Sequence, residues 1–376
     1  MNTIELTQKL IACPSVTPAD AGALALLAEY LESLGFTCHH LPFGEGEARV
    51  ENLFARIGEG EPHVCYAGHT DVVPAGDEAA WTHGAFNPVI ENGVLYGRGS
   101  SDMKGSVAAF ACAAAEFIGK GEFKGSISML ITGDEEGPSV NGTVRVLEWM
   151  KENGHIPTHA LVGEPTNPDE LGQEIKIGRR GSLGGEIIVS GKQGHVAYPS
   201  RARNPLPMLI KILDALANFE FDQGSEFFQP TNLEITTIDV GNTAENVIPA
   251  KGRAVFNIRF NDHWNSDKLS AKIGDILDEA GDSYEVGLWG NAQSFITQPN
   301  EWTDIVKQAV KDITGKEAAY TTTGGTSDAR FIVNYCPVVE FGGVNATIHQ
   351  VDENARVEDL ENITKIYVRV LERYFS

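Results

Sequence analysis

Apolar residues recur at helical spacing across residues 18–34 (PADAGALALLAEYLESL), and the run stops at Gly35, a residue suited to closing a helix. Residues 63–73 form an apolar run broken only by polar positions such as His69 and Asp71, which predicts a buried strand that runs into a loop. An alanine-rich segment, 106–118, predicts a helix after the glycine-bounded loop 97–105. Further on, 126–132 (SISMLIT) reads as a strand, 143–153 as a helix and 159–162 as a short strand that ends at Gly163-Glu164-Pro165. This alternation of strand and helix predicts an α/β fold with a mainly parallel sheet covered by helices on both faces.

The rhythm changes near residue 180. Strands are expected at 184–190, 232–240, 252–260 and 284–289, with helices at 205–219 and 266–280. That order suits a smaller α+β domain whose sheet is mostly antiparallel. After residue 293 the pattern returns to helix (301–314), strand (338–341) and a last helix (357–374). The expected organisation is a discontinuous larger domain, residues 1–179 and 294–376, interrupted by an inserted domain, residues 180–293.

Composition narrows the classes of function. A chain of 376 residues with 42% hydrophobic content can bury a shaped site. The formal net charge of -23 repels nucleic acid and anionic membrane, so neither is expected as a partner. Five cysteines (Cys13, Cys38, Cys65, Cys112, Cys336) show no CxxC spacing, which predicts buried free thiols and a reducing compartment. Residues 1–5 lack the basic and apolar regions of a signal peptide, and the most apolar stretch, 107–118, is short and carries Glu116. A cytoplasmic location is therefore expected. No glycine-rich loop with GK[ST] occurs, which removes support for a nucleotide-binding α/β protein.

Histidines and acidic residues collect where strands give way to loops: His69 and Asp71, Asp102, Asp134-Glu135-Glu136, Glu164 and His349. In an open α/β sheet the loops beyond the carboxyl ends of the strands converge on one crevice. Taken singly, each of these residues is ordinary on a surface or in a turn. Brought together, two imidazoles and several carboxylates make a divalent-metal site, and the mixture of nitrogen and oxygen donors suits zinc, cobalt or manganese.

The blocks HTDVVP, GRGSSDMKG, DEEG, GEP and a late TIH resemble the signature blocks of the co-catalytic zinc aminoacylase/carboxypeptidase family, and the likeness runs over nearly the whole chain. The resemblance implies that His69, Asp102 and Glu164 bind one metal and that Asp102, Glu136 and His349 bind another, with Asp102 bridging. It implies Glu135 as general base and Asp71 as the residue that orients His69. The cofactors implied are two Zn2+ per subunit, with Co2+ able to substitute. Physical chemistry agrees with these roles: a bridging carboxylate can hold two cations at the spacing of two-metal hydrolases. A carboxylate on the second imidazole nitrogen fixes the tautomer of a ligating histidine.

Other blocks, at 178–182, 194–199, 246–249, 256–260 and 323–328, resemble a branch of the family that removes a succinyl group from an amino-acid substrate with three carboxylates. Arg179 and Arg259 offer bidentate forks for carboxylates. Ser182, Gly325 and Thr326 could add hydroxyl or backbone donors. The resemblance also implies a homodimer formed through the inserted domain, with His195 of a partner subunit donating to the oxyanion and Asn246 and Tyr198 contacting substrate. Glu245 departs from the branch, where Asn often stands before this Asn. The alternatives are the same chemistry on another N-acyl amino acid such as acetylornithine, a dipeptidase, or a non-catalytic metal-dependent binding or scaffold dimer. A carboxylate at Glu135 argues against the last, because binding alone needs no base.

Overall fold

The structure, a computed structural model, describes residues 1–281 and 283–376. Contacts divide it into two compact units. One comprises Met1–Ile177, Thr297–Thr321 and Ser327–Ser376; the other comprises Gly178–Ile296 and Thr322–Thr326. The insert was expected at residues 180–293, and the short piece 322–326 was expected with the larger domain. That piece is tied into the second unit by Thr322, whose hydroxyl donates to the Phe227 carbonyl at 2.6 Å.

The first unit is built on an eight-stranded sheet. Its centre is parallel: His63–His69 lies between Gly125–Thr132 and His159–Val162, and Val338–Glu340 follows beyond the latter. These are the apolar runs of the sequence, and they are buried on both faces, as parallel strands between helices must be. The flanks are different. Leu53–Glu59 pairs antiparallel with Gly125–Thr132, so the sheet is mixed.

The register brings the strand ends into line. His69 pairs with Thr132, Ala67 with Val162, and Glu340 with Val162, so four strands end along one edge. The helix Lys104–Ile118 buries its first eleven residues, Lys104 to Ala114. Its alanines allow close approach, and it packs on the final helix Val357–Tyr374. Tyr66 stacks on Phe110 at 4.4 Å between ring centroids, and the Tyr367 hydroxyl donates to the Phe341 carbonyl at 2.7 Å. These contacts tie both helices to the sheet, and the first of them begins at Lys104, two residues after Asp102.

The helix expected over 18–34 begins only at Ala23. The Asp20 carboxylate takes the N–H groups of Gly22 and Leu24 and folds the preceding residues into a turn. All five cysteines are free; Cys65, Cys112 and Cys336 are buried, whereas Cys13 and Cys38 are partly exposed.

The second unit has a four-stranded antiparallel sheet in the order Asn232–Asp239, Lys251–Phe260, Gly181–Ser190, Glu285–Ala292. Alternate residues of its central strands, Leu183, Ile187, Val189, Ala254, Phe256 and Ile258, meet the helices Leu206–Ala217 and Ser266–Ala280 in one core. The other sheet face mixes polar side chains, among them Ser182, Glu186, Asn257 and Arg259, with apolar ones such as Ile188 and Val255.

Candidate metal centre

His69, Glu135, Glu136 and Glu164 lie at or just beyond the ends of the parallel strands. Asp102, which precedes the helix Lys104–Ile118, and His349, in the loop well beyond Val338–Glu340, follow no strand of that sheet directly. They join the cluster through their side chains. His69 is the last residue of its strand. Glu135 and Glu136 follow the strand that ends at Thr132, and Glu164 follows the one that ends at Val162. Glu164 is reached closely by the segment beyond Val338–Glu340: a Cβ on Gly342 would stand 2.5 Å from the Glu164 carbonyl, so only glycine fits there. His349 adopts φ 61°, an uncommon conformation for a residue with a side chain, and turns its ring towards Asp102 and Glu136.

Asp102 is the hub. Its Oδ1 lies 3.2 Å from His69 Nε2, and its Oδ2 lies 3.3 Å from His349 Nε2. His349 Nε2 is also 2.9 Å from Glu136 Oε1, while His69 Nε2 is 3.8 Å from Glu164 Oε1. One donor atom from each of His69, Asp102 and Glu136 falls within 4.8 Å of the others, as do those of His69, Glu135 and Glu164. Asp134, in contrast, spends Oδ2 on the N–H groups of Val140 and Asn141 and shapes its loop.

Asp71 does more than face His69. The nearest partner of His69 Nδ1 is the Asp71 main-chain carbonyl at 2.9 Å, with the carboxylate at 3.5 Å. That carboxylate accepts the N–H of Glu135 at 3.3 Å and of Glu136 at 3.0 Å. It therefore fixes the turn in which the two glutamates diverge, Glu136 towards His349 and Glu135 towards His69 and Glu164.

The electrostatics describe a pocket that demands positive charge. Burial opposes protonation of His69, yet its bond to Asp102 and the charges of Asp71 and Glu164 carry its pKa well above the usual imidazole range. Hydrogen bonds to Asp102 and Glu136 raise His349 to about 10. Burial works against ionisation of Asp102, but its two histidine partners hold it below the ordinary carboxylate range. Burial, followed by the charge of Glu164, pushes Glu135 well up. Asp71 is raised to about 6 by burial, against the pull of His69 and of the two backbone N–H groups. With carboxylates outnumbering imidazoles, and donor atoms that are all nitrogen or oxygen, the cluster fits divalent cations of the zinc type.

The residues singled out for substrate lie in the second unit. Arg179 is buried, and its Nη1 donates to the Gly325 carbonyl at 3.2 Å, so Gly325 contributes an acceptor here; Thr326 is half-buried in the same segment. Ser182 and Arg259 are cross-strand partners on the sheet face opposite the core, where Asn257 donates to the Ser182 hydroxyl at 3.3 Å. Arg180, which sequence reasoning missed, stands near Arg259 and bonds Asn232, the cross-strand partner of Arg259, at 2.9 Å. Burial, then the charge of Arg259, lowers its pKa. It lies inside the block 178–182, but no role was assigned to it there.

His195 is exposed and pairs with Val247, while the Asn246 carbonyl takes the Val196 N–H at 3.0 Å. The ring of His195 accepts the Ala197 N–H at Nδ1, 3.0 Å, so in the neutral imidazole the proton sits on Nε2 as a donor. Tyr198 packs edge-on to it at 5.6 Å and is itself covered by Arg201.

Residues 65–373 match the model of peptidase family M20/M25/M40. The chain belongs to that family. It is 56% identical over 375 residues to the succinyl-diaminopimelate desuccinylase of Rhodospirillum centenum, a match that covers 99% of this chain and 97% of the relative. It is 53% identical over 382 residues to the enzyme of the same name from Rhodopseudomonas palustris strain BisB5, covering 100% and 98%. Among solved structures, an M20 family metallo-carboxypeptidase from Sulfolobus solfataricus superposes with a TM-score of 0.82 at 19% identity, covering 100% of this chain and 99% of that one. That likeness speaks for the family's fold, the α/β unit with its smaller α+β companion.

Proposed function

We propose that this chain is a two-metal amidohydrolase that cleaves N-succinyl-LL-2,6-diaminopimelate to succinate and LL-2,6-diaminopimelate. The observation that carries the metal part is the division of the Asp102 carboxylate, one oxygen to His69 and the other to His349. Such a carboxylate can serve two ions at once, with His69 and Glu164 completing one ligand set and Glu136 and His349 the other. Bound there, zinc, or cobalt in its place, supplies Lewis acidity and makes water acidic near neutral pH. The substrate part rests on full-length identity of 53–56% to curated desuccinylases.

The chain's own residues supply the rest. Glu135 takes a proton from the attacking water and returns it to the leaving amine nitrogen, so that neither strong base nor unprotonated amide anion is released. Asp71 holds the Glu135–Glu136 turn through its two N–H contacts. Arg179 and Arg259, with Ser182, Gly325 and Thr326, bind the carboxylates of the substrate. The Nε2 proton of His195 serves a developing oxyanion, and in this reading it comes from a second copy of the chain, with Tyr198 and Asn246 nearby. Exposed Val196, Tyr198, Ile238 and Trp289 in the second unit suit a homodimer interface. Among the described residues no helix is long and apolar enough to cross a membrane, and we place the enzyme in the cytoplasm. Turnover of N-succinyl-diaminopimelate beside N-acetylornithine by metal-loaded protein tests the substrate; faster release from acetylornithine would overturn it.

A further inference from the structure

Glu353 is fully buried, and it is the point at which the loop that presents Asp102 is held. Its Oε1 accepts three main-chain N–H groups, those of Gly99 at 3.1 Å, Ser101 at 3.0 Å and Asp102 at 3.1 Å. Its Oε2 accepts Arg98 Nη1 at 2.7 Å, and its own carbonyl takes the Gly97 N–H at 2.9 Å. Arg98 is buried as well; it donates to the Pro74 carbonyl at 3.2 Å and lies 5.2 Å from the Trp81 ring. A buried carboxylate is costly unless paired and hydrogen-bonded, and here it is both.

The geometry has a specific target. Three converging N–H groups, the last belonging to Asp102 itself, define how the peptide plane before Asp102 is rotated. That rotation decides whether the Asp102 carboxylate can face two partners. Glu353 also follows His349 by four positions, so the residue that anchors the Asp102 loop belongs to the segment that carries the second imidazole. We infer that Glu353 is a positioning residue: it sets Asp102 as a bridge and couples the His349 side of the centre to the His69 side. No other acceptor is needed for this role. Glutamine cannot replace it, because an amide oriented towards the three N–H groups would turn its NH2 at Arg98, donor against donor. Aspartate keeps the charge but shortens the arm and cannot span both sets of donors.

The inference rests on the two-ion reading, and its test separates the two. Wild type, E353Q and E353D are stripped of metal and titrated with cobalt(II) by equilibrium dialysis, with the d–d spectrum followed and kcat and KM measured afterwards. The expected result is that the variants stay folded by circular dichroism, bind the second equivalent of cobalt about 10–100-fold more weakly and change the cobalt spectrum. Loss should fall on kcat, with KM for substrate little moved, which a general loss of packing would not produce. If wild type itself takes up only one ion, the two-ion reading fails, and this inference falls with it. If wild type binds two and the variants bind both equally well with an unchanged spectrum, Glu353 alone is misassigned. Failure of both variants to fold would make Glu353 a folding residue and overturn the proposal.

Discussion

His349 Nε2 stands 2.9 Å from Glu136 Oε1 across 213 residues of chain, although His349 must adopt φ 61° to do so. Left-handed backbone at a histidine is disfavoured, and the contacts to Glu136 and Asp102 hold it there. If this pair forms the second half of a two-ion centre, His349→Ala should lower bound zinc from about two ions per chain to about one. Metal analysis after exhaustive dialysis checks this. Retention of both ions would remove His349 from the ligand set.

Glu135 and Glu136 are adjacent yet directed to different partners, and their replacement should separate accordingly. Glu135→Gln should keep the metal content and lose about 10²–10⁴-fold in turnover. Metal loss in that variant, or a rate near wild type, would assign Glu135 a different task.

Outside the site, His63 makes stability depend on pH. Its side chain is 1% exposed and bonds the Ser128 hydroxyl at 2.8 Å. Burial, then the charge of Arg56, lowers its pKa to about 3. The folded pKa lies below the unfolded one, so this contribution is fully present above about pH 6.5. Below that, the unfolded chain binds a proton that the folded chain refuses, and stability falls by about 1.4 kcal/mol per pH unit until the folded pKa is reached. Urea midpoints measured from neutral to acid should therefore decline less steeply for His63→Gln than for wild type. Equal slopes would contradict the linkage.

Much of this was legible in the sequence because it is local. Helical periodicity located the long helices, and His69, Glu136 and Glu164 could be placed at strand ends because apolar runs stop just before them. What depends on pairing partners was not legible. Leu53–Glu59 joins the sheet antiparallel, a relation set by its neighbour and not by its own residues. The helix Thr3–Ile11 went unread although Asn2 and Glu5 form a reciprocal cap at its start. Pro18–Gly22 carried helical spacing, but the Asp20 side chain bonded the backbone first. Glu353 had no local mark at all: its role exists only because the chain returns to Gly99, Ser101 and Asp102.

Assembly of the site from two subunits turns on His195, whose Nε2 proton is available as a donor. Alone, His195→Ala should cost on the order of 10²–10³-fold in turnover with unchanged metal content. Mixing inactive His195→Ala subunits with inactive Glu135→Gln subunits should restore activity, because each heterodimer would then hold one site with both groups intact. Proven heterodimers that remain inactive would mean that His195 serves its own chain or has no catalytic part.

Whether the chain is a two-ion desuccinylase can be decided by titrating metal-free protein with zinc while following initial rates on N-succinyl-diaminopimelate and N-acetylornithine. The rate on the succinyl substrate should rise until about two ions are bound per chain and should exceed the rate on acetylornithine throughout. Full activity at one ion, or preference for acetylornithine, would contradict it.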